Sequence, residues 1–267
     1  WHRMNTKYVN LADRSAFNIM KHNSKLPGPE FKDIVAPNND TLYSAAWLDL
    51  QVEPLVLRIP DIPDQRYYVF QMTNLYNHNF GYVGARSTGY SAADYLIAGY
   101  NWNGEIPAGI KQSFRSETRF AFLLGRTLVD GPDDVERVKA IQNGYQLMPL
   151  SQYLGQPSLD APLQQHVMEY DTERASTARF VEYLNYVLEN AIIHPDEKDK
   201  IDRFSALGIG PGRLFDQENL SEEMINAINL GIQKGIATIR NKSRKIGRVI
   251  NGWRILVGTH GPREMLA

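Results

Sequence analysis

An α+β protein is predicted, soluble and folded, with an antiparallel β-rich N-terminal half (a sheet or a sandwich) followed by a helical C-terminal half. Two observations predict it. From residue 37 to Leu124, short aromatic and β-branched runs alternate with turn formers, the texture of paired strands. After Asp130 the apolar residues recur every three to four positions, as on one face of a helix.

In chain order, residues 1–36 mix polar residues with Pro27 and Pro29, which predicts an irregular lead-in with one short helix near 12–21. Strands are expected at Leu55-Val56-Leu57-Arg58-Ile59, Tyr67-Tyr68-Val69-Phe70, Phe80-Gly81-Tyr82-Val83 and Tyr95-Leu96-Ile97-Ala98. Pro60-Asp61, Pro63-Asp64, Asn77-His78 and Asn103-Gly104 are the turns between them. Phe114-Arg115-Ser116 and Arg119 to Leu124 complete the sheet. Asp130-Gly131-Pro132-Asp133-Asp134 starts a helix over 132–145: proline suits the first turn and the aspartates oppose the positive end of the dipole. Residues 149–170 read as loop. Helices follow at 172–193, with a stripe of Phe180, Val181, Leu184, Val187, Leu188 and Ile192, and at Pro195 to Phe204. Ser221 caps a longer helix whose stripe is Ile225, Ile228, Ile232, Ile236 and Ile239, and whose last turns gather Arg240, Lys242, Arg244 and Lys245. The expected division is a β-rich module over 1–150 and a helical region over 151–267.

Composition sets the outer limits. The 267 residues can bury a sizeable core as one large domain or two modest ones, and 43% hydrophobic, 10% aromatic and 22% charged residues are ordinary for a globular chain. A formal net charge of −1 gives no long-range attraction to nucleic acid or anionic lipid. No apolar run approaches the roughly 18 residues that would suggest a membrane-spanning helix. Trp1-His2-Arg3 is neither an initiator methionine nor a signal peptide, so the chain is expected to begin inside a longer gene product. The absence of cysteine removes disulfides, thiolate nucleophiles and thiolate metal sites, and leaves the compartment open.

The densest polar cluster is Pro37-Asn38-Asn39-Asp40-Thr41-Leu42-Tyr43-Ser44. It reads either as an Asx turn leading into a strand, or as a pocket wall in which Asp40 is a base or anion and Asn38, Asn39, Thr41 and Tyr43 orient a ligand. Gln71, Asn74, Tyr76, Asn77, His78 and Asn79 form a second group, as a self-satisfied hairpin turn or as polar groups on one sheet rim. Arg86 and Arg126 each leave a strand and need a partner, a carboxylate of the chain or a bound anion. Gly208-x-Gly210-x-Gly212 has the wrong spacing and context for a dinucleotide loop, and Gly231-x-x-x-Gly235 marks close helix packing at most. The six scattered histidines form no His-x-x-x-His or Glu-x-x-His pair, so neither a metal nor another cofactor is expected. No Gly-x-Ser-x-Gly elbow occurs. The basic run Arg240 to Arg248 lacks interleaved aromatics, which argues against nucleic acid.

The stretch Val35 to Leu50, with Arg66-Tyr67-Tyr68-Val69-Phe70-Gln71, Gly84-Ala85-Arg86-Ser87-Thr88-Gly89 and Leu124-Gly125-Arg126-Thr127, resembles the bacterial family DUF1254, domain of unknown function twelve-fifty-four. The resemblance covers roughly residues 30–150. Leu207 to Pro211 and Asn251-Gly252-Trp253 resemble the helical connector to the usual partner domain of that family, DUF1214. What the resemblance implies is a β-rich module with a helical layer, often in an exported or envelope protein, and a second β domain following Ala267. It implies no reaction and no catalytic residues.

Two functions are expected from these readings. The first is a small-molecule pocket at strand ends, with metal-free hydrolytic or acid–base chemistry if it is an enzyme: Asp40 as base, Arg86 stabilising anionic charge, and Tyr43 or Tyr76 as proton donor. Asn38, Asn39, Thr41, Gln71, Asn74 and Arg126 would bind the ligand. The second is a structural or assembly module, a homo-oligomer in which the polar residues pin loops and the helical half makes subunit contacts.

Overall fold

The computed structural model describes residues 16–28, 30, 32, 37–159, 168 and 171–255. The described residues divide into two compact units, one over 16–159 and one over 168–255.

The first unit is a two-sheet sandwich. One sheet has the order β1 (Lys21–His22), β2 (Thr41–Asp49), β8 (Phe120–Leu128), β4 (Tyr68–Asn74), β5 (Asn79–Gly84), with every neighbouring pair antiparallel. The other has the order β7 (Ile110–Arg115), β6 (Ala93–Ala98), β3 (Leu55–Ile59), β9 (Gln146–Pro149), and here β6 and β7 run parallel. Strands 2, 4 and 8 show why the sequence makes a sheet: alternate side chains are buried, Leu42, Ser44, Ala46 and Leu48 on β2 and Tyr68, Phe70 and Met72 on β4. Of these, Ala46, Leu48, Tyr68, Phe70 and Met72 meet Leu55, Leu57 and Ile59 of β3 and Tyr95 and Ile97 of β6 in one buried cluster, which is the core between the sheets. Gly125 of β8 makes room there for the Phe70 ring, which stands edge-on to Tyr145 at 4.8 Å. Helix α1 (Val135–Gln142), entered through a 3-10 turn at Pro132–Asp134, adds Ile141 to this core and packs Val138 against Leu42 and Val129.

The outer faces of the two sheets differ. On the second sheet Val56, Leu96 and Met148 form a buried cluster under Trp102, and under Leu150 and Tyr153 of the single-turn helix α2 (Leu150–Tyr153). On the first sheet the outward residues of β2, β8 and β4 are half-buried over most of their length.

Two local expectations change. The short helix near 12–21 is not formed over residues 16–21, and residues 12–15 lie outside the described residues. Asn18 sits at φ 66, a left-handed conformation that interrupts a helix, and its side chain exchanges hydrogen bonds with the Asp49 backbone. The loop expected over 149–170 contains α2, which continues directly from β9; residues 160–167, 169 and 170 of that stretch lie outside the described residues.

The second unit is helical: α3 (Phe180–Glu189), α4 (Pro195–Phe204) and α5 (Glu222–Ser243), followed by a hairpin of β10 (Arg248–Ile250) and β11 (Trp253–Ile255). Ser221 caps α5 by accepting from the Met224 amide. Asn229 of α5 accepts from the Ala178 amide at the entrance to α3, so the two helices are tied by a side-chain bond. Buried Asn185 of α3 donates to the carbonyls of Gly208 and Arg213 and accepts from the Gly210 amide. The glycine-rich break is therefore a loop held by one amide side chain. Among the described residues no helix is long and apolar enough to cross a membrane.

Candidate functional site

The polar cluster before β2 is organised by one residue. Asn38 Oδ1 accepts from the backbone amides of Asp40 (2.7 Å) and Thr41 (3.2 Å), and its Nδ2 donates to Thr41 Oγ1 (2.8 Å) and the Tyr43 hydroxyl (3.2 Å). This is an Asx turn that also aims a strand phenol. Asn39 and Asp40 are exposed beside it. Tyr43 pairs in register with Arg126 on β8, and the Arg126 guanidinium lies 5.4 Å from the centroid of the Tyr43 ring. Asn38, Thr41, Tyr43 and Arg126 are thus brought together at one end of the first sheet.

Arg126 differs from the other arginines of the sandwich. Arg58 grips Asp94 through Nε and Nη2 at 2.8 and 3.0 Å. Arg119 grips Asp49 at 2.8 and 2.6 Å. Arg66 is paired with Asp134, whose carboxyl it holds below the ordinary value through their hydrogen bond, against the opposing effect of burial. Arg126 has no carboxylate partner among the described residues, although it is half-buried. A guanidinium in that state ordinarily acquires an anion.

Gln71 and Asn79 join a second cluster with two residues that sequence reasoning passed over as site members. Gln71 Nε2 donates to Asn79 Oδ1 (2.9 Å) and Thr73 Oγ1 (3.2 Å), Thr73 Oγ1 donates to Asn79 Oδ1 (2.9 Å), and Asn79 Nδ2 donates to the Tyr82 hydroxyl (2.7 Å). Gln71 stands opposite Leu124 on the same outward face as Arg126. Alternation along the strands was the available signal: odd-numbered residues of β4 and even-numbered residues of β8 point outward together.

The remaining candidates lie elsewhere. Asn74 is buried and accepts from the amides of Tyr76 and His78, so it holds the β4–β5 turn. Its level on the sheet is five residues from Arg126 along β8, about 17 Å at the rise of a strand. Tyr76 lies in that turn with its ring 6.1 Å from His78. Arg86 is exposed in the turn after β5, with no hydrogen bond or ion pair among the described residues. β5 is three strands from β2, a lateral distance of about 14 Å, so Asp40 and Arg86 do not address one reacting group.

Inside the sandwich edge is a polar group that no motif announced. His22 Nδ1 is hydrogen-bonded to Ser44 Oγ at 2.8 Å, and Gln142 Nε2 donates to the Tyr43 carbonyl (3.1 Å) and to Ser44 Oγ (3.3 Å). Burial pushes the His22 pKa down. Ser44 is 1% exposed, so this serine–histidine pair fastens β1 and α1 to β2 and does not present a nucleophile. Nearby, burial pushes the Tyr68 hydroxyl up to about 12 and the Tyr145 hydroxyl higher still. Both are neutral at physiological pH. Among the described residues no group of three His, Cys, Asp or Glu side chains is placed to hold a metal ion.

Residues 17–149, which contain all of these candidates, match the model of the family described as Protein of unknown function (DUF1254). This segment is similar to DUF1254. Comparison with curated proteins gives no match. Among solved structures, the VPA0106 protein from Vibrio parahaemolyticus is similar in fold, with a TM-score of 0.73 and 22% identity over 96% of this chain and 57% of that one. The chain therefore spans a little over half the length of that relative. A putative uncharacterized protein from Burkholderia cenocepacia is matched over 61% of this chain and 40% of its own, with a TM-score of 0.33 and 16% identity. In the DUF1254 segment the outward face of the first sheet carries a cation with an aromatic partner at one end and the tilted ring pair Trp47–Phe122, with centroids 4.4 Å apart, toward the other.

Proposed function

We propose that the DUF1254 segment binds a small organic anion with an apolar body on the outward face of its first sheet. The observation that carries this reading is Arg126: alone among the arginines of β3, β4, β8 and their approaches, it faces a ring and, among the described residues, no carboxylate. A ligand carboxylate would take the place that Asp94, Asp134 and Asp49 take at the other three. The Tyr43 hydroxyl, aimed by Asn38, lies beside that position. Four residues along β8, about 13 Å away, Trp47 and Phe122 offer apolar surface for the ligand body, and Gln71 lies between the two ends.

Binding fits this arrangement better than acid–base catalysis. The base and the anion stabiliser expected from the sequence, Asp40 just before β2 and Arg86 just after β5, flank strands three apart in the sheet, which does not favour their acting on one bond. The rival reading, a structural or assembly module, is supported by the Asn38 turn, whose four hydrogen bonds are all internal.

Titration with phenylacetate, followed through backbone amide chemical shifts, tests the binding reading. A ligand of this size held by one charge-assisted contact is expected at a Kd on the order of 1 mM. Saturable shifts at Tyr43, Leu124 and Arg126, absent with benzyl alcohol and lost in Arg126→Gln, are expected. Shifts confined to other residues, or undiminished in Arg126→Gln, would overturn the assignment.

A further inference from the structure

Every residue of the β10–β11 hairpin is exposed. Its turn, Asn251-Gly252, sits at φ 50 and 79, the pair of positive values that a tight two-residue hairpin requires. Register places Ile250 opposite Trp253 and Arg248 opposite Ile255, so these four side chains share one face, while Val249 and Arg254 share the other. On the first face Trp253 is 78% exposed, Ile250 48% and Ile255 43%, an apolar surface with one cation among it. Arg254 Nη1 donates to the Lys245 carbonyl at 3.2 Å, which ties the hairpin to the chain just past the end of α5.

Charge gathers at the same place. From Arg240 to Ile255 the sequence holds six cations, Arg240, Lys242, Arg244, Lys245, Arg248 and Arg254, and no acid. All six are exposed, and none forms an ion pair among the described residues. The formal charge of −1 for the whole chain conceals this cluster, because the balancing acids lie elsewhere in the sequence. The helix dipole accounts for Arg240 and Lys242 in the last turn of α5, but not for Arg248 and Arg254, which follow it on the hairpin.

Cations interleaved with apolar residues separate the kinds of partner. The core of a protein interface is depleted of charge. A single-stranded nucleic acid calls for several stacking rings, and Trp253 is the only aromatic residue from 240 to 255. An anionic bilayer surface takes both features at once. An indole rests at the level of the headgroups, aliphatic side chains reach the acyl boundary, and lysine and arginine lay their stems on apolar surface with their charges among the phosphates.

We infer that the hairpin and the basic end of α5 bind the surface of an anionic phospholipid bilayer. The strands stay in the wet headgroup layer, since their open edges have no place in hydrocarbon. Charge and apolar burial act together, as the anchoring of a surface-bound protein requires. The inference is independent of the anion site on the first sheet.

Co-sedimentation with vesicles of equal parts phosphatidylcholine and phosphatidylglycerol, beside vesicles of phosphatidylcholine alone, tests it. Binding to the mixed vesicles only is expected, with a blue shift in the emission of Trp253, read as the difference between wild type and Trp253→Phe. Raising salt from about 0.1 M to 1 M, which shortens the Debye length from roughly 10 to 3 Å, releases most of the protein. Arg244→Gln with Lys245→Gln weakens binding on the order of tenfold and leaves the pairing of the hairpin intact. Ile250→Ser with Trp253→Ser weakens it on the order of tenfold as well. No binding to the mixed vesicles at low salt overturns the inference, and so does binding that both double variants retain or that leaves the Trp253 emission unmoved. A protein that ignores the vesicles but binds a single-stranded RNA oligonucleotide, or that self-associates until Trp253→Ser is introduced, assigns the surface to nucleic acid or to a second copy and overturns it equally.

Discussion

Arg66 reaches Asp134 with both terminal nitrogens, and the two side chains are 9% and 8% exposed. The same guanidinium donates to the Leu128 carbonyl at 2.7 Å, while Asp134 Oδ2 accepts from the Asp130 amide at 2.9 Å. One ion pair thus joins the approach to β4, the end of β8 and the start of α1.

Asp134→Asn is expected to destabilise the DUF1254 segment by about 3–5 kcal/mol at pH 7, because it leaves a buried guanidinium without its counter-charge. The hydrogen bond from Arg66 holds the Asp134 carboxyl below its ordinary 3.8. A carboxyl depressed in the folded state contributes its full stabilisation above the unfolded value and loses it as pH falls through the folded one. Urea melts of wild type and variant should therefore converge as pH is lowered below about 4. A gap that stays constant from pH 7 to pH 3 would assign the loss to packing and not to charge.

Asn38→Ala should cost about 1–2 kcal/mol, since it removes two acceptor and two donor contacts at the entrance to β2. Asp40→Asn should change stability by less than about 0.5 kcal/mol, because Asp40 is exposed and it is its backbone, not its carboxylate, that Asn38 and Val129 engage. Chemical denaturation of both variants gives the ranking. A larger loss for Asp40→Asn would move the structural role from the amide to the acid.

The difference between those two neighbours shows what local sequence can carry. The Asx turn and the strand after it are local, so composition was enough to offer them as one of two readings. Equally local are the Ser221 cap and α4, where Pro195 and the first-turn acids mark the start. Strand β9 was missed because four residues ending in proline gain their strand character only by pairing with β3. Arg126 and Arg86 look alike in sequence, each leaving an apolar run. What separates them is position in the sheet, since Arg126 lies on a central strand against Tyr43 while Arg86 lies in a turn beyond the edge strand. Likewise His22, Ser44 and Gln142 meet only because three distant segments close on one sandwich edge.

Gly125→Ala tests the packing at the centre of the first sheet. An added Cβ would sit 2.5 Å from Cε1 of Phe70, whose ring is fixed edge-on to Tyr145. Overpacking of this kind costs about 1–3 kcal/mol. Phe70→Leu in the same background should recover part of the loss, because the smaller side chain vacates the space the methyl needs. Additive losses in the double variant would mean that the backbone, and not the ring, resists the methyl.

His22 gives the sandwich edge a dependence on pH near neutrality. Its ring is hydrogen-bonded to Ser44 and lies 6.5 Å from the Tyr145 ring, and burial lowers its pKa from the ordinary 6.5. Because the folded value is the depressed one, neutral His22 is favoured by folding. Its contribution is fully present above about pH 6.5 and is lost as pH falls through the folded value. His22→Asn retains a polar atom near the position of Nδ1 but cannot take up the proton. The stability of wild type should fall more steeply than that of the variant between about pH 6.5 and 5, and the His22 imidazole, followed by NMR, should titrate below the ordinary range. Parallel pH profiles for the two proteins would show that protonation is accommodated by the β1 edge swinging His22 into water, and that the Ser44 hydrogen bond does not restrain it.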